Sequence, residues 1–177
     1  MARVDPAYVI RRHRADGRRS WAAYSACGAY RYGLMRRWGP VLGPVLLYVM
    51  LNPSTATEVQ NDPTIERCER RARALGFSGL GVVNLFAFRA TRPADLKRAA
   101  DPIGPLNDAA IRTAARRADQ ILCAWGVHGQ HLCRDARVRA ILRGQDRPML
   151  HLGLTNAGAP RHPLYVPYAR PLQPWDD

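Results

Sequence analysis

The sequence predicts an α/β fold: a three-layer sandwich with a central, mainly parallel four-stranded sheet and an N-terminal antiparallel extension. Two observations lead there. Four short apolar runs recur between residues 45 and 153, each the length of a buried strand. Helical patterns separate the runs, and strand–helix alternation repeated three times favours parallel pairing under covering helices. A chain of 177 residues suits one such domain with a proper core.

The elements follow in order. Residues 1–20 carry Arg3, Arg11, Arg12, Arg14, Arg18 and Arg19, and read as a basic arm ahead of a single domain over 21–177. WAAYSACGAYRYGLMRRW (21–38) mixes aromatic and small residues as one or two antiparallel strands do. Gly39-Pro40 and Gly43-Pro44 then punctuate the chain. VLLYVMLN (45–52) is the first buried strand. Asp62 and Pro63 form an N-cap and first helical residue for a helix running to Gly76. GLGVVNLF (79–86) is the second strand, and Asn107 or Asp108 caps the helix after it. DQILCAWG (119–126) is the third strand, a helix extends to about Arg143, and RPMLHLG (147–153) is the fourth.

Charge narrows the partners. Twenty-seven basic residues against 14 acidic ones give +13, which attracts polyanions, nucleic acid first among them. Lys97 is the only lysine, so arginine supplies the charge, and its planar fork suits phosphate. No apolar run follows Met1 and none reaches membrane-spanning length, so a cytoplasmic protein without a membrane partner is expected. Nothing in the sequence calls for an obligatory protein partner. The four cysteines form no CxxC pair and are expected as free thiols, several of them buried. Cys123, His128, His131 and Cys133 can be drawn as a zinc set, but their spacing matches no standard pattern. No metal or other cofactor is expected.

In parallel α/β sheets the ligand crevice lies beyond the carboxyl ends of the strands. There the first strand runs into Asn52-Pro53-Ser54-Thr55, the second into Asn84-Leu85-Phe86, the third into Trp125-Gly126, and the fourth towards Arg161-His162-Pro163. The motifs LNPST, VVNLFAFRAT, CAWGVHGQ and GAPRHPLY resemble, in this order, a bacterial domain family of unknown function, number 1643, over roughly residues 25–170. The same order is similar to the uracil-DNA glycosylase superfamily, parallel α/β proteins with four such strand-end motifs. Asn52-Pro53 match the first motif, Asn84 the base-contacting asparagine, Trp125-Gly126 the third and His162-Pro163 the fourth. Two departures stand out. The usual His-Pro-Ser-Pro becomes His162-Pro163-Leu164-Tyr165, and residues 54–76 hold no aromatic to stack on a base.

The resemblance implies a hydrolase that cleaves the N-glycosidic bond of a damaged, modified or mispaired base in DNA, duplex or single-stranded. His162, held by a proline-stiffened loop, would aim a ring N–H at the departing base. Asn52 would orient water, with Asp62 a possible stronger base whose N-cap role is the better expectation. Asn84 would read the base edge, while Pro53, Ser54, Thr55, Phe86 and Trp125 would shape the pocket. Leu164 and Tyr165 would wedge into the duplex, with Arg89, Arg161 and Arg170 on phosphates. The four arginines Arg67, Arg70, Arg71 and Arg73 read most simply as a solvated helix face. Two other functions fit the same residues: an enzyme acting on a free nucleoside or nucleotide, and a non-catalytic nucleic-acid binder.

Overall fold

Alternation along one strand sets the layers. In β4 (Val45–Met50), Leu46, Tyr48 and Met50 face one core and Leu47 and Val49 the other. Both sides are apolar because helices cover both, which is why the run reads as continuous rather than alternating. The computed structural model describes residues 8–175. Through them run β1 (Val9–Ala15), β2 (Arg18–Tyr24), β3 (Arg31–Arg37), β4, α1 (Pro63–Ala74), β5 (Gly79–Asn84) and α2 (Pro93–Arg98). They are followed by α3 (Asn107–Arg117), β6 (Gln120–Cys123), α4 (Arg134–Arg143), β7 (Met149–His151) and β8 (Gln173–Pro174).

The strands form one eight-stranded sheet in the order β1-β2-β3-β5-β4-β6-β7-β8. Strands β5, β4, β6 and β7 are mutually parallel, while β1, β2, β3 and β8 join antiparallel. The expected four-stranded sheet is therefore the parallel centre of a larger, mixed sheet. Ile65, Cys68 and Ala72 of α1 pack on one face; Ile111 and Ala115 of α3 and Val138, Ile141 and Leu142 of α4 pack on the other.

Two sequence expectations change here. Residues 9–20, read as part of a basic arm, belong to a hairpin: Val9 pairs with Tyr24 and Ala15 with Arg18. An edge strand exposed on both sides tolerates arginines, so it carries no apolar stripe to betray it. Residues 1–7 of that arm lie outside the described residues. Neither Asn107 nor Asp108 caps α3, whose N-cap position is Leu106. Asn107 instead points inward and donates through Nδ2 to the carbonyls of Asn84 and Leu85, at 3.0 and 2.8 Å. Asp108 accepts ion pairs from Arg134 and Arg137. The Asp62 cap is as expected: its Oδ1 accepts from the Ile65 N–H at 2.8 Å, with Pro63 at the first position.

The arginines of α1 divide their work. Arg70 pairs with Glu66 at the surface, and Arg73 with Glu69. Arg71, 3% exposed, turns inward and donates to the carbonyls of Tyr168 and Arg170 through Nη1 and of Pro167 through Nη2, all within 3.0 Å. Arg67 donates to the carbonyls of Pro163 and Val166 at 2.9 and 2.7 Å, and stacks over the Tyr168 ring. The helix thus grips the segment 163–170, which has little regular structure of its own. On the other side of the site, fully buried Arg36 donates to the side chain of Asn61 and to the carbonyls of Thr57, Glu58 and Gln60, fixing that loop.

Replacing Arg71 by methionine keeps the aliphatic stem but leaves three carbonyls without their donor. We expect a loss of about 2–4 kcal/mol in urea unfolding. A change below about 0.5 kcal/mol would show that these contacts contribute nothing net.

Candidate functional site

A cavity of about 530 Å³ opens at the carboxyl ends of the parallel strands. Residues after β4, after β6 and from the loop beyond β7 meet around it, with Arg31 entering from β3. This volume falls in the range of small-molecule sites.

Asn52 follows β4 and is half-buried. Its Nδ2 donates to the carbonyls of Pro53 and Ala90, at 3.0 and 2.6 Å. The Ala90 N–H in turn donates to the Pro53 carbonyl at 3.0 Å, so the Asn-Pro turn is stapled to the segment after β5. With the amide nitrogen so engaged, Oδ1 is the acceptor Asn52 presents. Ser54 and Asp62 line the cavity just beyond.

His162 enters from the opposite side. It caps a single 3-10 turn, Pro163–Tyr165, and its Nδ1 accepts from the Leu164 N–H at 3.3 Å. The neutral ring therefore carries its proton on Nε2, which is a donor. Burial pushes the pKa of His162 below its ordinary value, and the negative charge of Asp62 pulls weakly the other way. The loop is held at both ends. The Gly126 N–H donates to the Pro160 carbonyl at 2.8 Å, the Arg161 N–H to the Gly153 carbonyl at 3.0 Å, and Arg67 grips Pro163. Gly126, with φ of 71°, makes the turn out of β6 that brings this contact about. These hydrogen bonds tie the loop that carries the imidazole to β6, to the segment after β7 and to α1.

The cavity gathers seven of the expected residues: Asn52, Ser54, Trp125, Arg161, His162, Leu164 and Tyr165. Trp125 is a buried wall, its ring against Trp175. Leu164 and Tyr165 face outward at the rim, 37% and 80% exposed, rather than packing into the core. Six others lie elsewhere. Asn84 is buried and does not line the cavity, and its Nδ2 lacks a partner among the described residues. Phe86 is a fully buried core residue whose ring lies 5.6 Å from that of His131. Pro53 is buried in the turn. Thr55 and Arg89 line an adjoining, shallower depression of about 720 Å³ that shares Ser54, Ala90 and Thr91 with the cavity. Arg170 is exposed, and its carbonyl accepts from Arg71. Among the described residues no three His, Cys, Asp or Glu side chains gather where they could hold a metal ion. Cys123, one of the four drawn as a zinc set, is buried in the core, where burial raises its thiol pKa.

Two residues gain importance. Arg31, 2% exposed, donates through Nη1 to the Ala56 carbonyl at 2.6 Å. Asp62 accepts from the Ala56 N–H through Oδ2 at 3.3 Å while Oδ1 caps α1. Together they hold both sides of the turn that follows Asn52, and both line the cavity. Asp62 was legible as a cap. Arg31 was missed; the available signal was an arginine flanked by Tyr30 and Tyr32 in a strand otherwise fit for burial.

These features define an α/β protein with a cavity at its strand ends. The chain belongs to a family of proteins of unknown function, DUF1643, whose family model matches residues 31–164. That span takes in every cavity residue named above except Tyr165. No curated protein and no solved structure matches the chain. Among the described residues no helix is long and apolar enough to cross a membrane.

The depressed pKa of His162 gives a signed expectation. Its imidazole should titrate below about 6.5 in a proton NMR series. Because the fold disfavours the charged ring, its stability contribution is complete above about pH 6.5 and declines as pH falls through the folded-state value. A midpoint at or above the ordinary value would contradict the buried placement.

Proposed function

We propose that this chain is a DNA glycosylase-like hydrolase that cleaves the N-glycosidic bond of a damaged, modified or mispaired base. One observation carries the reading: His162, whose Nδ1 is occupied so that Nε2 carries the proton, and Asn52, whose Nδ2 is occupied so that Oδ1 is its acceptor, line the same cavity. Cleaving the bond leaves negative charge on the base and positive charge on the sugar. A base whose carbonyl approaches His162 meets a fixed donor where negative charge grows. Water held by Asn52 Oδ1 needs only weak activation if the bond breaks before attack, as oxocarbenium-like reactions allow. The carboxylate of Asp62, which also lines the cavity, would favour a cationic sugar. Its two oxygens already accept from backbone N–H groups, which holds it in place.

Access suits an extruded nucleotide. Leu164 and Tyr165 project from the rim, and apolar side chains so placed can fill the gap left in a duplex. Arg161, also at the rim and bonded through Nε to the Leu154 carbonyl, keeps its terminal nitrogens for a phosphate. With Asn84 outside the cavity, the base edge meets the hydroxyls of Ser54 and Thr64 instead.

The test is a panel of duplex and single-stranded oligonucleotides carrying uracil, 5-modified pyrimidines or deaminated purines, treated with alkali after incubation. At least one lesion should yield strand breaks, and His162→Ala should slow them by about 100- to 1000-fold. If no lesion gives an abasic product on either kind of strand, the reading fails.

A further inference from the structure

The cavity contains a charge that the proposed chemistry leaves unexplained. Arg31 is 2% exposed and lines the cavity. Nη1 is taken by the Ala56 carbonyl, but Nε has no hydrogen-bond partner among the described residues. Nor does any carboxylate among them form an ion pair with it; Asp62 attracts it only through space. Burial lowers its pKa to about 10, with Arg89 and Arg36 adding repulsion. It therefore stays protonated at neutral pH. A buried, unpaired guanidinium costs several kcal/mol, and the cost is offset only by a counter-charge with matching hydrogen bonds.

The surroundings indicate what that counter-charge is. Arg31 stands close enough to Arg89 to feel its charge, and Arg89 too has a buried Nε without a partner. Arg89 lines the adjoining depression, and Ser54 and Thr91 sit on the seam shared with the cavity, adding two hydroxyls. A carboxylate satisfies one guanidinium edge. Two guanidiniums and two hydroxyls suit a group with more oxygens and more charge. Arg36, the third cation nearby, is already committed to backbone carbonyls and is not available.

We infer that Arg31 anchors a phosphate-binding subsite, so that the cavity takes a nucleotide with its phosphate rather than a bare base or nucleoside. The inference deepens the reading of the cavity as a nucleotide site, and it holds whether the phosphate belongs to a strand or to a free nucleotide. Arg31 becomes a specificity residue. It would locate the ligand by its phosphate and leave His162 and Asn52 to the sugar–base bond.

Binding is measured apart from turnover. Inorganic phosphate is titrated into the whole ¹⁵N-labelled chain at constant ionic strength, following the Arg31 Nε–H signal, assigned through its proximity to Ala56. We expect a saturable shift of that signal. We also expect a nucleoside monophosphate to bind about 10- to 100-fold more tightly than its nucleoside, from one charge-assisted contact set. Arg31→Lys should abolish most of that preference, whereas Arg116→Gln, at an exposed site on α3, should leave it intact. An unmoved Arg31 signal at saturating phosphate, or equal affinity for nucleoside and monophosphate, overturns the inference even if Arg31→Lys does not fold. Comparing a short single strand with the monophosphate distinguishes the two phosphate sources. Phosphate binding at Arg31 without strand breaks in the lesion panel would remove the glycosylase reading and leave this subsite standing.

Discussion

The site depends on guanidinium groups donating to backbone carbonyls. The loop carrying His162 cannot hold itself: beyond one 3-10 turn, the chain from 163 to 170 has almost no internal ladder. Arg67 and Arg71 supply the missing donors from one helix, spaced four residues apart on a single face. A neutral donor would satisfy one carbonyl; the fork of an arginine satisfies two or three and is never deprotonated at ordinary pH. The loop thereby acquires the rigidity of the helix, and the imidazole acquires a direction.

The same device recurs, which changes how the net charge should be read. Arg36 fixes residues 57–61, Arg31 holds Ala56, and Arg134 donates to the Leu85 carbonyl. These side chains still contribute to the field around the molecule, but apart from Arg31, whose Nε has no partner among the described residues, their N–H groups are largely spent inside it. A charge of +13 thus overstates how many arginines are free to touch a phosphate. It remains a fair measure of long-range attraction to polyanions.

How much was legible follows from which interactions leave a pattern. Strands buried on both faces leave continuous apolar runs, so β4, β5 and β6 could be read directly along the chain, though not their order within the sheet, as could the Asp62–Pro63 start of α1. β1 left none, because it is an exposed edge whose arginines look like those of an arm, whereas the rest of β2 fell within the antiparallel stretch read over 21–38. The strand-end motifs located the cavity rim and brought Asn52, Ser54, Trp125 and His162 to it. They could not tell which side chains at a strand end enter the cavity. Asn84 sits at the end of β5, directly across from Met50, yet its amide is buried outside the lining. Arg67 and Arg71 were indistinguishable in sequence from Arg70 and Arg73, since only the partner segment, almost a hundred residues away, separates a clamp from a solvated face.

Asp62 joins these parts. One carboxylate caps α1, the helix that grips the His162 loop, and also holds the turn that follows Asn52. Its charge reaches Arg31 and His162 without hydrogen-bonding either. Contact with His162 would favour the imidazolium, which would no longer have a lone pair for the Leu164 N–H. Burial outweighs the attraction of Asp62, so the neutral ring is favoured, with Nδ1 occupied by the Leu164 N–H and the proton on Nε2. The carboxylate thus orders both the helix that grips the His162 loop and the turn after Asn52, while burial rather than Asp62 keeps the imidazole uncharged.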